Sequence, residues 1–255
     1  MLAAVVPPVL RFALPISADD PFLLGLVTLL AGTITAIVAS RRRGVGIAES
    51  YALRRVPAGL LLAVTVTVFG LSILLSEADN LLQTVLPPPD WFTEFFKQLT
   101  SGQKSVWGSL FALVIAAPLG EEPLFRGVIL PGFNARYSAR TAVIGSALFF
   151  GLAHLNPWQF VGAAVFGMVA GWWYLRTRSL VPCLWGHALG NGLPALLDSF
   201  GLHVRGYTEG TLGLIDFQPW WFDVVGMALL LTGLFLASRV FRRAGGEQVL
   251  RSDVV

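Results

Sequence analysis

Two adjacent glutamates inside an apolar stretch are the first residues whose type and spacing suggest chemistry. Glu121 and Glu122 lie within AAPLGEEPLFRGVIL, and Arg126 follows Glu122 at the next helical turn. An acid and a base at that spacing share a helix face and can pair. An ionisable group at bilayer depth costs roughly 2.5–3.5 kcal/mol, and pairing offsets much of that cost for Glu122 and Arg126. Glu121 is then the carboxylate left for a chemical step.

Two of the three histidines also lie in apolar stretches. His154 ends the run LFFGLAH, and His187 lies in CLWGHALGN with Asn191 one helical turn later, on the same helix face. A carboxylate beside an imidazole can take a proton from water. A second imidazole and an amide can donate hydrogen bonds to a developing oxyanion. We predict that these side chains and Glu121 meet in one mid-membrane cavity suited to hydrolysing an acyl or peptide bond without a covalent nucleophile.

The composition of the chain predicts the elements that position these residues. Of 255 residues, 55% are apolar and only 13% are Asp, Glu, Lys or Arg, whereas a soluble domain carries about 25% charged residues. Lipid offers no partners to free backbone groups, so spanning segments must be helices. We predict one all-α domain, residues 1–255, a polytopic transmembrane bundle with its motif-bearing core at about 105–198. Seven spans are predicted, at about 21–40, 57–76, 105–130, 141–157, 158–175, 180–198 and 220–238.

Basic residues alternate between the two sets of connections, which predicts the orientation. By the positive-inside rule the arginine-rich set is cytoplasmic together with the C-terminus, and the N-terminus lies outside. We expect the cavity to open toward the cytoplasm. A net charge of +3 gives no indication of a nucleic-acid partner. The arginine-rich set comprises Arg41, Arg42, Arg43, Arg54, Arg55, Arg126, Arg136, Arg140, Arg176, Arg178, Arg239, Arg242, Arg243 and Arg251, and the other set comprises Arg11, Lys97, Lys104 and Arg205.

Several segments are expected at the membrane boundary. Residues 1–16 are interpreted as an interfacial segment rather than a cleaved signal peptide, because prolines interrupt the apolar run and no basic region precedes it. The stretch 91–104 is predicted to be an interfacial helix with its aromatic side toward lipid. Aromatic belts are predicted at 172–174 and 220–221. His203 falls in an outer loop.

Taken together, these motifs resemble the CPBP family of intramembrane proteases. That family includes the type II CAAX prenyl endopeptidases and bacterial relatives linked to bacteriocin processing and immunity. The chain matches the family motif EExxxR with Glu121, Glu122 and Arg126, FxxxH with Phe150 and His154, and HxxxN with His187 and Asn191. The motifs follow in family order over residues 121–191, while 1–104 and 200–255 match only as hydrophobic spans.

The resemblance implies a role for each motif. Glu121 and His154 would activate the attacking water, and His187 and Asn191 would stabilise the oxyanion. Glu122 and Arg126 would brace the site or contact the substrate. The implied substrate is a membrane-anchored peptide or protein, such as a prenylated CAAX-like tail, and the implied location is a plasma or cytoplasmic membrane.

The family has been described both as metal-dependent and as a metal-free glutamate protease. Glu121, His154 and His187 could in principle form a three-ligand zinc site with an open position. We favour the glutamate mechanism without a cofactor, because Asn191 beside His187 suits an oxyanion hole better than a metal shell.

Other functions remain open from the sequence. The same scaffold would serve a non-enzymatic immunity or assembly factor that keeps the polar cluster as a binding site. A small transporter would place a proton or ion site there, although no inverted repeat is visible. The sequence contains neither the HExxH helix of zinc proteases nor the GxSxG elbow of serine hydrolases. Cys183 is expected to be an inert small hydrophobe.

Overall fold

The computed structural model describes residues 20–42, 44, 46, 52–100, 105–199, 204–207 and 216–252, with side chains except at 97, 98, 100, 195, 198, 199 and 244–252. The predictions for residues 1–16, Arg43, Lys104 and His203 lie outside these residues, as do those for the side chains of Lys97 and Arg251.

Helices form the architecture of the described residues, as predicted. Two π-helical segments, Phe111–Ala116 and Pro123–Ile129, join α4 to α5 and α5 to α6, so the chain is helical without a break from 106 to 134. The α-helices are α1 Pro21–Arg42, α2 Ala58–Val85, α3 Asp90–Thr100, α4 Val106–Leu110, α5 Ala117–Glu122, α6 Leu130–Asn134, α7 Ala139–Leu152, α8 Pro157–Thr177, α9 Val181–Ser199 and α10 Trp220–Ser252.

Three helices are long and apolar enough to cross a membrane: α1, α2 and the part of α10 from Trp220 to Arg243. They make the chain an integral membrane protein. Each of the seven predicted spans overlaps helical structure, but the other four do not meet this measure within the described residues. The count of seven therefore stays a prediction.

Side-chain caps set where several helices begin. The Ser105 hydroxyl accepts a hydrogen bond from the Gly108 backbone N–H at 3.0 Å, and the Ser138 hydroxyl accepts one from Thr141 at 3.2 Å. Each cap satisfies one of the backbone donors that the first turn of a helix leaves without a partner.

The predicted span at about 141–157 is wrong at its C-terminal end. Helix α7 ends at Leu152, and Leu155 has a left-handed φ of 56°. Asn156 caps α8 by accepting from the Gln159 backbone N–H at 2.8 Å, and Pro157 takes the first helical position, which suits its fixed φ and missing N–H. His154 therefore lies in the turn between α7 and α8 and not inside a helix.

Hydrogen bonds show which helix ends lie together. The Leu180 N–H donates to the Ala52 carbonyl at 2.9 Å, so the start of α2 lies beside the α8–α9 turn. We call this end of the bundle, with residues 41–42, 54–58, 134–140, 176–181 and 239–243, the basic end. At the other end, the Trp158 indole donates to the Leu86 carbonyl at 2.8 Å, which joins the end of α2 to the start of α8. This acidic end includes residues 20–21, 77–94, 152–157, 204–207 and 216–223.

Helices α2 and α10 pack antiparallel through small residues. A Cβ added at Gly233 would collide with Thr67, and one added at Gly70 would collide with the backbone of Leu230. Small residues are used in this way where membrane helices approach closely.

The buried apolar core lies toward the basic end. It contains Trp173, Tyr174, Leu180 and Cys183, all at most 5% exposed. The predicted belt at 172–174 is therefore wrong for Trp173 and Tyr174. Gly186 makes room for Trp173, because a Cβ there would lie 2.7 Å from the indole ring.

The aromatic side of α3 also differs from the prediction. Phe92 packs on Trp158 at a ring-centroid distance of 4.6 Å, so part of this side contacts the start of α8. Trp91 remains 66% exposed. At the same end of the bundle, Trp220 is 77% exposed, as a belt residue would be.

Candidate active site

A buried charge cluster joins α5 and the second π-helical segment to α9. Glu122 is fully buried, and its Oε1 accepts from Arg126 Nη1 at 3.0 Å, which confirms the predicted pair. The same oxygen lies 2.8 Å from Nδ1 of His187. A carboxylate only accepts, so the His187 Nδ1 carries the proton in this contact. The imidazole is thereby held with its Nε2 edge pointing away from Glu122.

Aromatic rings surround this cluster and exclude water from it. The Arg126 guanidinium lies 4.4 Å from the centroid of the Phe150 ring, a cation–π geometry. Phe150 is 2% exposed and meets His154 and His187 edge-on, at centroid distances of 5.2 and 5.8 Å. Phe166 adds a second ring 5.3 Å from His187. Phe150 thus packs between the two histidines and fixes their spacing.

His154 is held in one orientation by its own helix end. Its Nδ1 lies 2.9 Å from the Phe150 carbonyl. Because a carbonyl can only accept, Nδ1 carries the proton, and Nε2 of the neutral ring keeps its lone pair. The ring is therefore oriented as a base toward whatever lies on its Nε2 side.

Asn191 closes a gap that Pro118 leaves in the helix opposite. In the π-helical segment the N–H of Ala117 bonds to the carbonyl of Ala112, five residues earlier. In the same register the next donor would be residue 118, but proline has no N–H to give to Leu113. The Asn191 Nδ2 donates to that Leu113 carbonyl at 2.9 Å instead. One amide hydrogen of Asn191 is used here, and the second remains for another acceptor.

A cavity of about 250 Å³ brings three of the predicted residues together. His154, His187 and Asn191 line it, and Phe150 and Phe166 form part of its wall. Helix α2 supplies the opposite wall with Val68, Leu71, Ser72 and Leu75, and α8 adds Gln159, Gly162 and Ala163. The predicted convergence on one cavity therefore holds for both histidines and the asparagine.

Neither glutamate lies on the wall of this cavity. Glu122 lies behind His187, fully buried. Glu121 is half-buried and interacts electrostatically with His154. The structure thus associates Glu121 with one histidine and Glu122 with the other.

Sequence reasoning missed the contact between Glu122 and His187. The two residues are 65 positions apart, and only the packing of α9 against α5 brings them together. The wall residues of α2 were also missed, because Ser72 is a single hydroxyl in an apolar helix with no motif around it.

A three-ligand zinc site is not formed by this arrangement. Within the described residues, no three His, Cys, Asp or Glu side chains are grouped closely enough to hold one metal ion. Glu121, His154 and His187 are all described, so this includes the predicted ligand set.

A comparison with known protein families supports the family resemblance that the three motifs indicate. Residues 103–193 match the family described as type II CAAX prenyl endopeptidase Rce1-like. The matched segment contains the EExxxR, FxxxH and HxxxN motifs, so the resemblance predicted from them is confirmed there. No curated protein and no solved structure matches the chain.

Proposed function

We infer from the Rce1-like match over residues 103–193 that this chain is an intramembrane endopeptidase, and we propose that it hydrolyses a peptide bond of a membrane-tethered protein. The observation that carries the proposal is the cavity in which two oriented imidazoles and an amide face one space. Proteases of this type need a base for water and donors for an oxyanion, and the cavity has candidates for both.

His154 is the proposed base. With Nδ1 donating to the Phe150 carbonyl, its Nε2 lone pair takes a proton from water as the water oxygen attacks the peptide carbonyl carbon. The imidazolium that forms is stabilised by the charge of Glu121. The same Nε2 then returns the proton to the leaving amine nitrogen as the C–N bond breaks. A positioned base of this kind contributes about 10²–10⁴-fold to the rate.

His187 and Asn191 are the proposed oxyanion donors. When His187 is protonated, Nδ1–H donates to Glu122 and Nε2–H is available to the developing oxygen anion. Glu122 stabilises that protonated form and fixes the ring. The second amide hydrogen of Asn191 adds another donor. Losing one such donor costs about 10²–10³ in rate.

The membrane arrangement completes the proposal. We propose about seven spans with the C-terminus cytoplasmic, because the described arginines concentrate at the basic end and such residues are retained on the cytoplasmic side. The protein would be a multi-pass resident of a plasma or cytoplasmic membrane, without a nucleic-acid partner. Its substrate would be anchored in the same bilayer, by lipid or by a helix.

The experiment uses the membrane proteome of the expressing cells as the probe. Protein N-termini of the membrane fraction are compared between cells making the wild type, Glu121→Ala or His154→Ala. Asp90→Asn is the matched control, since Asp90 is an exposed acid on α3, away from the cavity. Thermal melting in detergent confirms that each variant folds.

We expect a set of N-termini that is present with the wild type and Asp90→Asn and absent with both alanine variants. If folded His154→Ala and Glu121→Ala leave every N-terminus unchanged, the protease assignment fails and the non-enzymatic immunity or assembly role replaces it. Zinc content of the purified protein, measured with and without chelator alongside cleavage, separates this metal-free mechanism from a metal-dependent one.

A further inference from the structure

The cavity and the packed core occupy opposite ends of the bundle. In α2, Leu60 is 1% exposed and belongs to the core, whereas Leu75, further along the helix, lines the cavity. Helix α9 repeats the order, with Cys183 in the core and Asn191 on the cavity wall. Both helices run from the basic end to the acidic end, so the cavity lies on the acidic side of the core.

Helices α7 and α8 show the same order. Trp173 of α8 is fully buried in the core, and Gln159, two residues into the helix, lines the cavity. His154 lies in the α7–α8 turn, at the acidic end itself. Between the cavity and the basic end lie Trp173 and the buried Arg126 with its carboxylate partner. Packed side chains therefore lie between the cavity and the basic end.

The ends differ sharply in charge. The described residues place eleven arginines at the basic end: Arg41, Arg42, Arg54, Arg55, Arg136, Arg140, Arg176, Arg178, Arg239, Arg242 and Arg243. At the acidic end they place seven carboxylates and one arginine, which pairs with one of them: Asp20, Glu77, Asp79, Asp90, Glu94, Asp216 and Asp223, with Arg205 bound to Asp216. The positive-inside rule assigns the basic end to the cytoplasm.

On the orientation that the positive-inside rule gives, these observations argue against the expectation that the cavity opens toward the cytoplasm. The positive-inside rule orients the chain by its arginines, and the arginines lie at the end of the bundle that the packed core occupies. The positive-inside orientation and a cavity that opens toward the cytoplasm cannot both hold, because the helices that carry the arginines also form the cavity wall.

We propose that the cavity admits its substrate from the extracytoplasmic face. The inference rests on the proposed function and narrows its substrate class. The substrate is a membrane-tethered polypeptide whose scissile bond lies at the extracytoplasmic boundary of the bilayer. A tail presented only at the cytoplasmic face would meet the packed core and not the histidines.

The test uses single cysteines and a membrane-impermeant thiol reagent on the full chain. Leu155→Cys and Val85→Cys mark the acidic end, where these residues are 59% and 82% exposed, and Tyr137→Cys marks the basic end, where it is 55% exposed. Leu75→Cys marks the cavity wall. The wild type is the blank, because its one cysteine, Cys183, is fully buried.

Each variant is labelled in right-side-out and in inverted vesicles. We expect Leu155→Cys, Val85→Cys and Leu75→Cys to react in right-side-out vesicles, and Tyr137→Cys only in inverted ones. The proposal is overturned if Leu155→Cys and Val85→Cys react only in inverted vesicles, or if Leu75→Cys reacts only from the side that labels Tyr137→Cys.

The two experiments can refute the access proposal and the protease assignment independently of each other. Reversed labelling with intact cleavage moves the substrate to the cytoplasmic face and leaves the hydrolytic role. Unchanged N-termini in the Glu121→Ala cells remove the hydrolytic role and leave the orientation as labelled. Where both hold, the N-termini lost in Glu121→Ala cells map to extracytoplasmic juxtamembrane segments, and a map to cytoplasmic segments contradicts the proposal.

Discussion

The pair formed by Glu122 and Arg126 allows stability and chemistry to be separated in one set of variants. Both side chains are at most 1% exposed and are joined at 3.0 Å. Removing one partner of such a pair leaves a buried charge and costs about 3–5 kcal/mol. At about 2–4 °C of melting temperature per kcal/mol for a chain of this size, Glu122→Gln should melt about 6–20 °C lower.

The double variant Glu122→Gln/Arg126→Met should recover most of that loss. Replacing both members of a buried pair by uncharged groups of similar volume is often close to neutral. The methionine sulfur can also contact the Phe150 ring, which the guanidinium covers at 4.4 Å. Activity should not recover, because His187 keeps a hydrogen-bond acceptor but loses the negative charge that stabilises its protonated form. We expect a rate about 10²–10³ below the wild type.

The assay measures melting in detergent and the yield of the wild-type-dependent N-termini for the wild type, both single variants and the double variant. Arg136→Gln, an exposed arginine at the basic end, is the matched control for charge removal. A Glu122→Gln protein that melts like the wild type would refute the buried-pair argument. A double variant that regains full cleavage would refute the role of the Glu122 charge in holding His187.

Three further changes test other parts of the structure. Gly233→Ala should lower stability by about 1–3 kcal/mol through overpacking against α2, whereas Gly59→Ala, with no neighbour closer than 4.0 Å, should not lower it; equal melting of the two would contradict the close approach. Asn191→Leu should cost about 1–3 kcal/mol, since the Leu113 carbonyl loses its donor, and unchanged melting would show that this contact is dispensable. Burial raises the pKa of Tyr207, so the folded state disfavours its phenolate, and the stability that Tyr207 contributes below about pH 10 is lost as the pH rises above the usual tyrosine range. The melting temperature of Tyr207→Phe should therefore depend less on pH above about pH 10 than that of the wild type. Identical pH profiles for the two proteins would refute the inference.

The spacing of residues along the sequence predicted the contacts that form within a single helix. The pairing of Glu122 with Arg126 follows from their separation by one turn, and the structure has it. The break after α7 was also readable, because Asn156 followed by Pro157 is a typical helix start. Hydrophobicity alone obscured it, since apolar residues continue on both sides of the turn.

The sequence did not predict which residues make contacts between helices. A helix that is apolar on every side gives no periodicity to show which face is buried, and for that reason Trp173 was assigned to a boundary belt and not to the core. The carboxylate nearest each histidine depends on the rotation of α5 about its axis. That rotation reflects two π-helical segments, whose presence no spacing rule indicates.

Those two segments make the direction of the glutamates depend on how the helix winds before and after them. An α-helix turns by about 100° per residue, and a π-helical turn takes up one residue more than an α-helical turn, so relaxation of Phe111–Ala116 to ordinary helix without loss of a residue would rotate everything on one side of it by about that angle. Glu121 and Glu122 would then turn away from the histidines while the span stayed nearly as long. The two widened turns act as angular spacers: each holds an extra residue that sets the direction of the glutamates, so loss of the widened turn would act through geometry while every polar side chain stayed in the chain.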